Sequence, residues 1–358
     1  MTSTLDPILS KAIAQSAAYF NEQGGYAVAL SGGPDSAMLA VHAAHWAQQQ
    51  GQALYFFHIH HGLQKAADGW TEQVLRLGEM LGVPTWVKRV QVIEKGDGVE
   101  SAARRARYKG LQQMAKQLGC GTILLGHHLD DQAETVVMRL LRGSGPTGMQ
   151  AMRPLLQRQA VHYVRPFLGV PRTVILQAAQ QFKAQTQWQA VTDPTNINPR
   201  YTRGIIREKL APVFDEHWPH WRRALARHAE QAAEENLLLE QWAEELLHNL
   251  DFRVQVGEAK QTKTHSSTEP HSLTESRNPT KTYSFCLRLW RGLNAAKQRL
   301  VLRHFFKQAA LPMPSHARLA EMQRQLNQVH QLGTDRQLQI PHGRSVLRCA
   351  DARVLLNV

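Results

Sequence analysis

Four short apolar runs, Tyr26–Leu30, Leu54–Ile59, Thr85–Val90 and Thr122–Leu125, alternate with longer stretches rich in Ala, Gln, Leu and Arg. That rhythm predicts βαβ units, because parallel strands need long crossovers and a helix buries such a crossover against the sheet. A fifth strand is expected at Val161–Arg165, ended by Pro166, which cannot donate to a ladder. The first part of the chain therefore reads as α/β, with a doubly wound, mainly parallel sheet. Its ligand crevice should lie outside the carboxyl ends of the strands.

The pattern changes beyond about residue 215. Trp218–Leu250 is amphipathic and long enough for one extended helix. From Val256 to Thr282 the chain is polar, with Lys, Thr, Ser, His and Glu and almost no apolar residues, so a flexible insertion is expected there. Helical spacing returns at Leu287–Gln308 and His316–Leu326, and Arg344–Val358 resembles terminal strands. The expected organisation is a catalytic domain over 1–215, a linking helix over 216–250, and a smaller, mainly helical C-terminal domain over 251–358.

Composition adds a partner class. Lys plus Arg is 42 against 29 Asp plus Glu, a formal charge of +13, which favours a polyanionic partner. No apolar run is long enough to span a bilayer. Cys120, Cys286 and Cys349 are far apart and form no CxxC pair, which suits a reducing cytoplasm. The first residues carry Asp6, Lys11 and Glu22 and lack the apolar core of a signal peptide.

The strand at Tyr26–Leu30 runs directly into Ser31-Gly32-Gly33-Pro34-Asp35-Ser36 and then a helical stretch. Two residues without Cβ let the backbone turn sharply and bring N–H groups to a phosphate. Ser31 and Ser36 add hydroxyls, the helix N-terminus adds partial positive charge, and Asp35 can orient a Mg²⁺ that bridges phosphate oxygens. No GxxxxGK[ST] sequence occurs, so this is not a Walker-type loop. An ordinary capped turn is the competing account.

Two further segments follow strands: His58-Ile59-His60-His61-Gly62-Leu63, and Leu125-Gly126-His127-His128-Leu129-Asp130-Asp131-Gln132-Ala133-Glu134-Thr135. Asp131 and Glu134 are three apart at a helix start, so their carboxylates share a face and suit an ammonium group. The same spacing is also a capping pattern, and the five histidines and adjacent aspartates allow a metal reading as well. A third cluster, Glu100 to Tyr108, puts Arg104, Arg107 and Tyr108 on one helix face, suited to clamping phosphate or stacking on a base, or to simple solvation.

The SGGxDS loop resembles the signature of the PP-loop ATP pyrophosphatase superfamily, which has a Rossmann-like sheet and splits ATP into AMP and pyrophosphate. With the HHGL segment, ExxARxxRY, the GHHLDDQAET block, Gly148-Met149, Arg165-Pro166, Asp193-Pro194-Thr195-Asn196 and Tyr201-Thr202-Arg203, the chain is similar to the tRNA(Ile)-lysidine synthetase family. Leu293–Leu326 is more weakly similar to that family's substrate-binding helices. The resemblance implies a cytoplasmic carbon–nitrogen ligase that adenylates the C2 oxygen of the wobble cytidine in a CAU-anticodon isoleucine tRNA. The α-amine of L-lysine then displaces AMP. Ser31, Gly32, Gly33, Pro34, Asp35 and Ser36 would bind ATP, with Asp35 at Mg²⁺. Asp131 and Glu134 would hold the lysine side-chain ammonium. Arg104, Arg107 and His127 complete the implied catalytic set, with Arg203 and Arg207 near tRNA or nucleotide. A homodimer is compatible with the family. The chain departs from the family pattern at His60 and Gln64, at Asn198, and at Gly204.

Other functions are weighed against this one. A thiolase of the same superfamily needs closely spaced thiols that the sequence lacks. A small-molecule amide synthetase needs neither the positive charge nor a helical second domain. A non-catalytic RNA-binding protein has no use for an intact loop, and a histidine-metal hydrolase would work without ATP.

Overall fold

The computed structural model describes residues 5–21, 23–62, 67–94, 96, 98–191, 202–257, 281–329, 338–343 and 345–358. Contacts divide the chain into two compact units, residues 1–234 and 235–358.

The first unit is built on a six-stranded sheet ordered β3-β2-β1-β4-β6-β5. The strands are β1 (Gly25–Ala29), β2 (Leu54–His60), β3 (Thr85–Arg89), β4 (Cys120–Leu124), β5 (Leu155–Arg158) and β6 (Val161–Val164). All neighbours pair in parallel except β5, which returns antiparallel to β6 as the edge. The fifth expected strand is β6, stopping just before Arg165-Pro166. Sequence reading missed β5, because Pro154 and the polar Gln157 and Arg158 obscure a strand of four residues.

The period-2 pleat sends alternate side chains to opposite cores. Tyr26, Val28, Phe56, Leu124 and Val164 join the core under α1 (Pro7–Ser16), α2 (Pro34–Gln49), α3 (Ala67–Leu81) and α7 (Arg172–Thr186). Ala27, Phe57, Ile59, Ile123 and Tyr163 join the core under α4 (Val99–Leu118). Burial on both faces explains why these strands read as unbroken apolar runs. Crossovers leave β1 and β4 in opposite directions, so the switch point lies between their carboxyl ends. The N-termini of α2 and of α5 (Leu129–Leu141) follow those two strands directly.

Beyond α6 (Pro146–Met149), a continuous helical run comprises α8 (Thr202–Ile205), a π-helical turn at Ile206–Leu210, and α9 (Ala211–His217). Ile206 packs with Ala133, Val137 and Trp221, which fixes this run against α5. The helix expected at Trp218–Leu250 is α10, Trp221–His248, and the division between the two units falls within it.

The second unit pairs helices with a five-stranded antiparallel sheet ordered β7-β8-β11-β10-β9. Its strands are β7 (Arg253–Val256), β8 (Lys281–Cys286), β9 (Leu338–His342), β10 (Ser345–Ala350) and β11 (Arg353–Asn357). The helical stretch at Leu287–Gln308 is two helices, α11 (Leu287–Arg291) and α12 (Ala295–Gln308), separated at Gly292; α13 is His316–Gln328. The Asn294 side chain accepts a hydrogen bond from the Lys297 N–H and so starts α12. Phe285, Trp290, Phe305, Met322 and Leu356 form the shared core. Of the polar insertion expected at 256–282, Val256, Lys281 and Thr282 lie in β7 and β8, and 258–280 fall outside the described residues. No described helix is long and apolar enough to cross a membrane.

Candidate functional site

The loop between β1 and α2 is organised by its own serines. The Ser36 hydroxyl accepts the Ser31 N–H at 3.1 Å, donates to the Gly33 carbonyl at 3.1 Å and lies 2.9 Å from the Ser31 hydroxyl. Gly32 has φ +91, a left-handed value that a side chain would strain, and its carbonyl accepts the Val191 N–H at 2.9 Å. No side-chain hydrogen bond caps α2, whose N-terminus carries the positive end of the helix dipole. The capped-turn account therefore fails for α2, whereas an anion at this helix end would satisfy its donors.

Gly126 sets how closely the loop after β4 approaches. A Cβ there would sit 3.1 Å from the Ser36 backbone nitrogen and 3.2 Å from the Asp35 carbonyl group, tighter than a methyl tolerates without moving the backbone. Gly126→Ala is expected to push on the Asp35–Ser36 backbone and raise the KM for ATP about tenfold, a cost near 1.4 kcal/mol, with little change in melting temperature. Steady-state kinetics over a range of ATP concentrations would check this, and an unchanged KM would show that the loop yields freely.

The block that follows is divided between framework and site. Asp130 accepts the Arg172 N–H at 3.1 Å and Arg222 Nε at 2.7 Å. Gln132 exchanges two bonds of 2.9 Å with the Met152 backbone, and Ala133 enters the apolar contact with Ile206. Asp131 and Glu134 turn instead to a single guanidinium. Arg207 donates to Glu134 through Nε at 2.6 Å and Nη2 at 2.8 Å, and to Asp131 through Nη2 at 3.2 Å. The spacing of three puts both carboxylates on one face, but the cation they meet is the chain's own Arg207, which the resemblance had put near tRNA or nucleotide.

The capping alternative holds in a different register. His128 is the N-cap of α5, accepting the Asp131 N–H at 3.4 Å, while the Asp131 carboxylate accepts the His128 N–H at 3.3 Å. Asp131 is therefore both cap and site residue, and Glu134 is free of capping. Burial pushes the Asp131 carboxyl upward, but His128, His127, Arg203 and Arg207 outweigh it and hold the pKa below the usual range. For Glu134 burial wins, and its pKa is raised despite Arg207.

Asp35 lies beside this cluster. Its Oδ1 is 3.6 Å from His128 Nε2 and 3.6 Å from Arg172 Nε, beyond hydrogen-bond range, and burial raises its pKa. Among the described residues, the buried side-chain polar atoms without a hydrogen-bond partner are Asp35 Oδ1, His61 Nδ1, His127 Nδ1, Arg165 Nε and Arg172 Nε. All five residues follow the carboxyl ends of β1, β2, β4 or β6, around one crevice. Stranding such atoms inside a protein costs about 1–3 kcal/mol each, and a polar ligand would repay that.

Three of the five histidines, His58, His60 and His128, are tied to the framework by hydrogen bonds. His58 bonds the Leu30 carbonyl at 2.8 Å and faces Thr71 at 3.3 Å, and His60 meets Asp68 at 3.1 Å. His61 has its pKa lowered to about 4, first by burial and then by Arg107. His127 is held well below the usual value, mainly by burial, and so is neutral. No group of three or more metal-ligating side chains occurs among the described residues. A carboxylate such as Asp35 can still share a hard cation with phosphate oxygens.

Arg104 and Arg107 come to the crevice by different routes. Arg104 lies over the Tyr108 ring at 5.1 Å, Arg158 lies over the same ring at 4.8 Å, and Tyr163 packs at 5.2 Å. Tyr108 is thus committed to the core, which removes it as a platform for a base. Burial and then Arg104 lower the Arg107 pKa, with Tyr108 and Glu100 opposing them. Arg203 donates to the Thr135 hydroxyl at 3.3 Å.

Sequence reading quoted His128 and Arg165 within motifs without giving either a role of its own, and passed over Arg172. His128 was detectable, since the residue before a helix that follows a buried strand is its N-cap. Arg172 carried no local signal. Of the departures from the family pattern, His60 bonds α3 through Asp68, and Gly204 is buried in α8, where it offers no side chain to the crevice. Gln64 and Asn198, with Leu63, Asp193, Pro194, Thr195, Asn196 and Tyr201, lie outside the described residues.

A PP-loop domain family matches residues 5–214, and a TilS substrate binding domain family matches residues 285–355. A tRNA(Ile)-lysidine synthase of Bordetella bronchiseptica is 48% identical over 332 residues, covering 92% of this chain and 89% of that protein. The protein of the same name from Pseudomonas aeruginosa is 41% identical over 235 residues, covering 65% of this chain and 51% of that one. Among solved structures, the U34-tRNA thiolase NcsA from Methanococcus maripaludis superposes with a TM-score of 0.53 at 16% identity, covering 63% of this chain and 80% of that one. At that identity the likeness speaks for the fold alone.

Proposed function

The chain belongs to the tRNA(Ile)-lysidine synthase family of tRNA-modifying PP-loop enzymes, and we propose that it couples ATP cleavage to lysine transfer onto a wobble cytidine. The C2 oxygen of the cytidine attacks the α-phosphorus of ATP and pyrophosphate leaves. One amine of lysine then bonds to C2, sheds a proton, and AMP departs with the oxygen. The observation that carries this reading is the convergence of Asp131 and Glu134 on one cation beside an uncapped, glycine-rich helix N-terminus.

Each residue has a task that follows from its surroundings. The backbone from Ser31 to Ser36 receives the phosphates, with Gly126 keeping the opposite wall flush against it. Asp35, whose carboxylate oxygen lacks a hydrogen-bond partner, would hold Mg²⁺, which supplies charge neutralisation on the phosphate oxygens. Arg104 and Arg107 offset negative charge on the reactants. His127, whose pKa is held down by burial, is suited to hydrogen-bonding the base. Asp131 and Glu134 take the second, non-reacting ammonium of lysine and leave the reacting amine free.

Residues 1–215 would perform this chemistry and 251–358 would bind the tRNA, with the helix of 216–250 linking them. The +13 charge supports a polyanionic substrate, and the free cysteines suit the cytoplasm, where tRNA, ATP and lysine meet.

The test is incorporation of radiolabelled lysine into CAU-anticodon isoleucine tRNA, with methionine tRNA of the same anticodon in parallel. ATP-dependent labelling of the isoleucine tRNA alone is expected. A folded protein that labels neither tRNA would overturn the proposal.

A further inference from the structure

We infer that Arg207 is the enzyme's own occupant of the ammonium subsite, a positioning residue that keeps Asp131 and Glu134 paired until the cation of the amine substrate displaces it. This rests on reading that carboxylate pair as the lysine ammonium site.

Three observations carry it. First, the guanidinium occupies the carboxylate pair, with two short bonds to Glu134 and a third bond to Asp131. A bidentate guanidinium–carboxylate pair is a strong contact, and an ammonium competing for the same oxygens must break it. Second, the pair needs a counter-ion. Glu134 and Asp131 have side chains only 6% and 12% exposed, and two carboxylates so close and so dry cannot both stay ionised unpaired. Third, Arg207 is mounted on a π-helical turn, Ile206–Leu210, rather than on the sheet framework. Such turns are rare and occur often at functional sites, because the wider ring spoils regular packing. The neighbouring Ile206 is buried and anchored, so the Arg207 side chain can leave the carboxylates without the helix moving.

An amine with no second cation cannot effect the exchange, so Arg207 sets both the affinity and the selectivity of the subsite. While it occupies the site, apparent affinity is reduced by the fraction of molecules in which the carboxylates are engaged.

Calorimetric titration of L-lysine into the full-length, nucleotide-free protein tests this. Arg207→Gln is expected to bind lysine about fivefold or more tighter than the unmodified chain, a gain that structural damage would not produce. Arg207→Lys, which keeps the charge but gives up the two-point fork, is expected to bind about twofold tighter and serves if the glutamine variant fails to fold. Unchanged or weaker lysine binding in the folded variants would overturn the role of Arg207. Glu134→Gln separates the two ideas: if lysine still binds it as it binds the unmodified protein, the ammonium reading itself is wrong, whatever Arg207 does.

Discussion

Asp35→Ala is expected to abolish AMP and pyrophosphate formation, by about 10³-fold or more, while leaving the protein folded. The physical case is that Asp35 contributes little to the fold. Its Oδ1 is buried without a hydrogen-bond partner, and its nearest cations are too distant for short contacts. Burial raises its pKa. A carboxyl whose pKa is higher folded than unfolded destabilises the fold once pH exceeds the unfolded value. At neutral pH the alanine variant should therefore melt at the same temperature or slightly higher. That is the trade expected of a group kept for its chemistry. Pyrophosphate release with CAU-anticodon tRNA and ATP, measured beside a thermal melt, decides the matter. A rate within tenfold of the unmodified enzyme would remove Asp35 from the mechanism, and a collapsed melting temperature would return it to the framework.

Glu134→Gln is expected to lose lysine transfer by about 10²-fold or more, with adenylation within a few-fold of normal. Removing one partner of a buried ion pair costs up to about 3–5 kcal/mol when the other charge is stranded. Here Arg207 keeps Asp131 at 3.2 Å, so the loss of stability should be well below that ceiling. Asp131→Asn should impair transfer similarly but disturb the fold more, because Asp131 also closes the capping box of α5 with His128. A cap is worth about 1 kcal/mol. The two half-reactions are separable: pyrophosphate release without added lysine reports adenylation, and labelled lysine on tRNA reports transfer. If both fall together in Glu134→Gln, the carboxylate acts on the first step, and the amine-subsite assignment fails.

Much of the site was legible before any coordinates. The strand, loop and helix around Ser31 to Ser36 are contiguous, so one stretch of chain carries both the backbone shape and the helix dipole that an anion needs. The i, i+3 relation of Asp131 and Glu134 is likewise a local fact of helical geometry. The buried strands announced themselves because both their faces are covered. The second unit was harder. The short strands β7, β8 and β9 lack a long apolar run, since only one face of that sheet meets α12 and α13. Their pairing is settled by partners far away in sequence, such as Thr282 with Asn357.

What the sequence by itself determined is the chemistry that local backbone can encode: a phosphate loop at the end of a buried strand, two acids on one helix face, and a basic chain around them. Only the tertiary structure decided which cation those acids meet. Arg207 lies 73 residues beyond Glu134, past two strands and three helices, and no periodicity links them. The same holds for His128 and Arg172 beside Asp35, and for Gly126 against the Ser36 backbone. Helical and strand repeats act over a few residues and leave their mark in order along the chain. Counter-ion choice and loop clearance depend on distances through space, which the fold alone supplies.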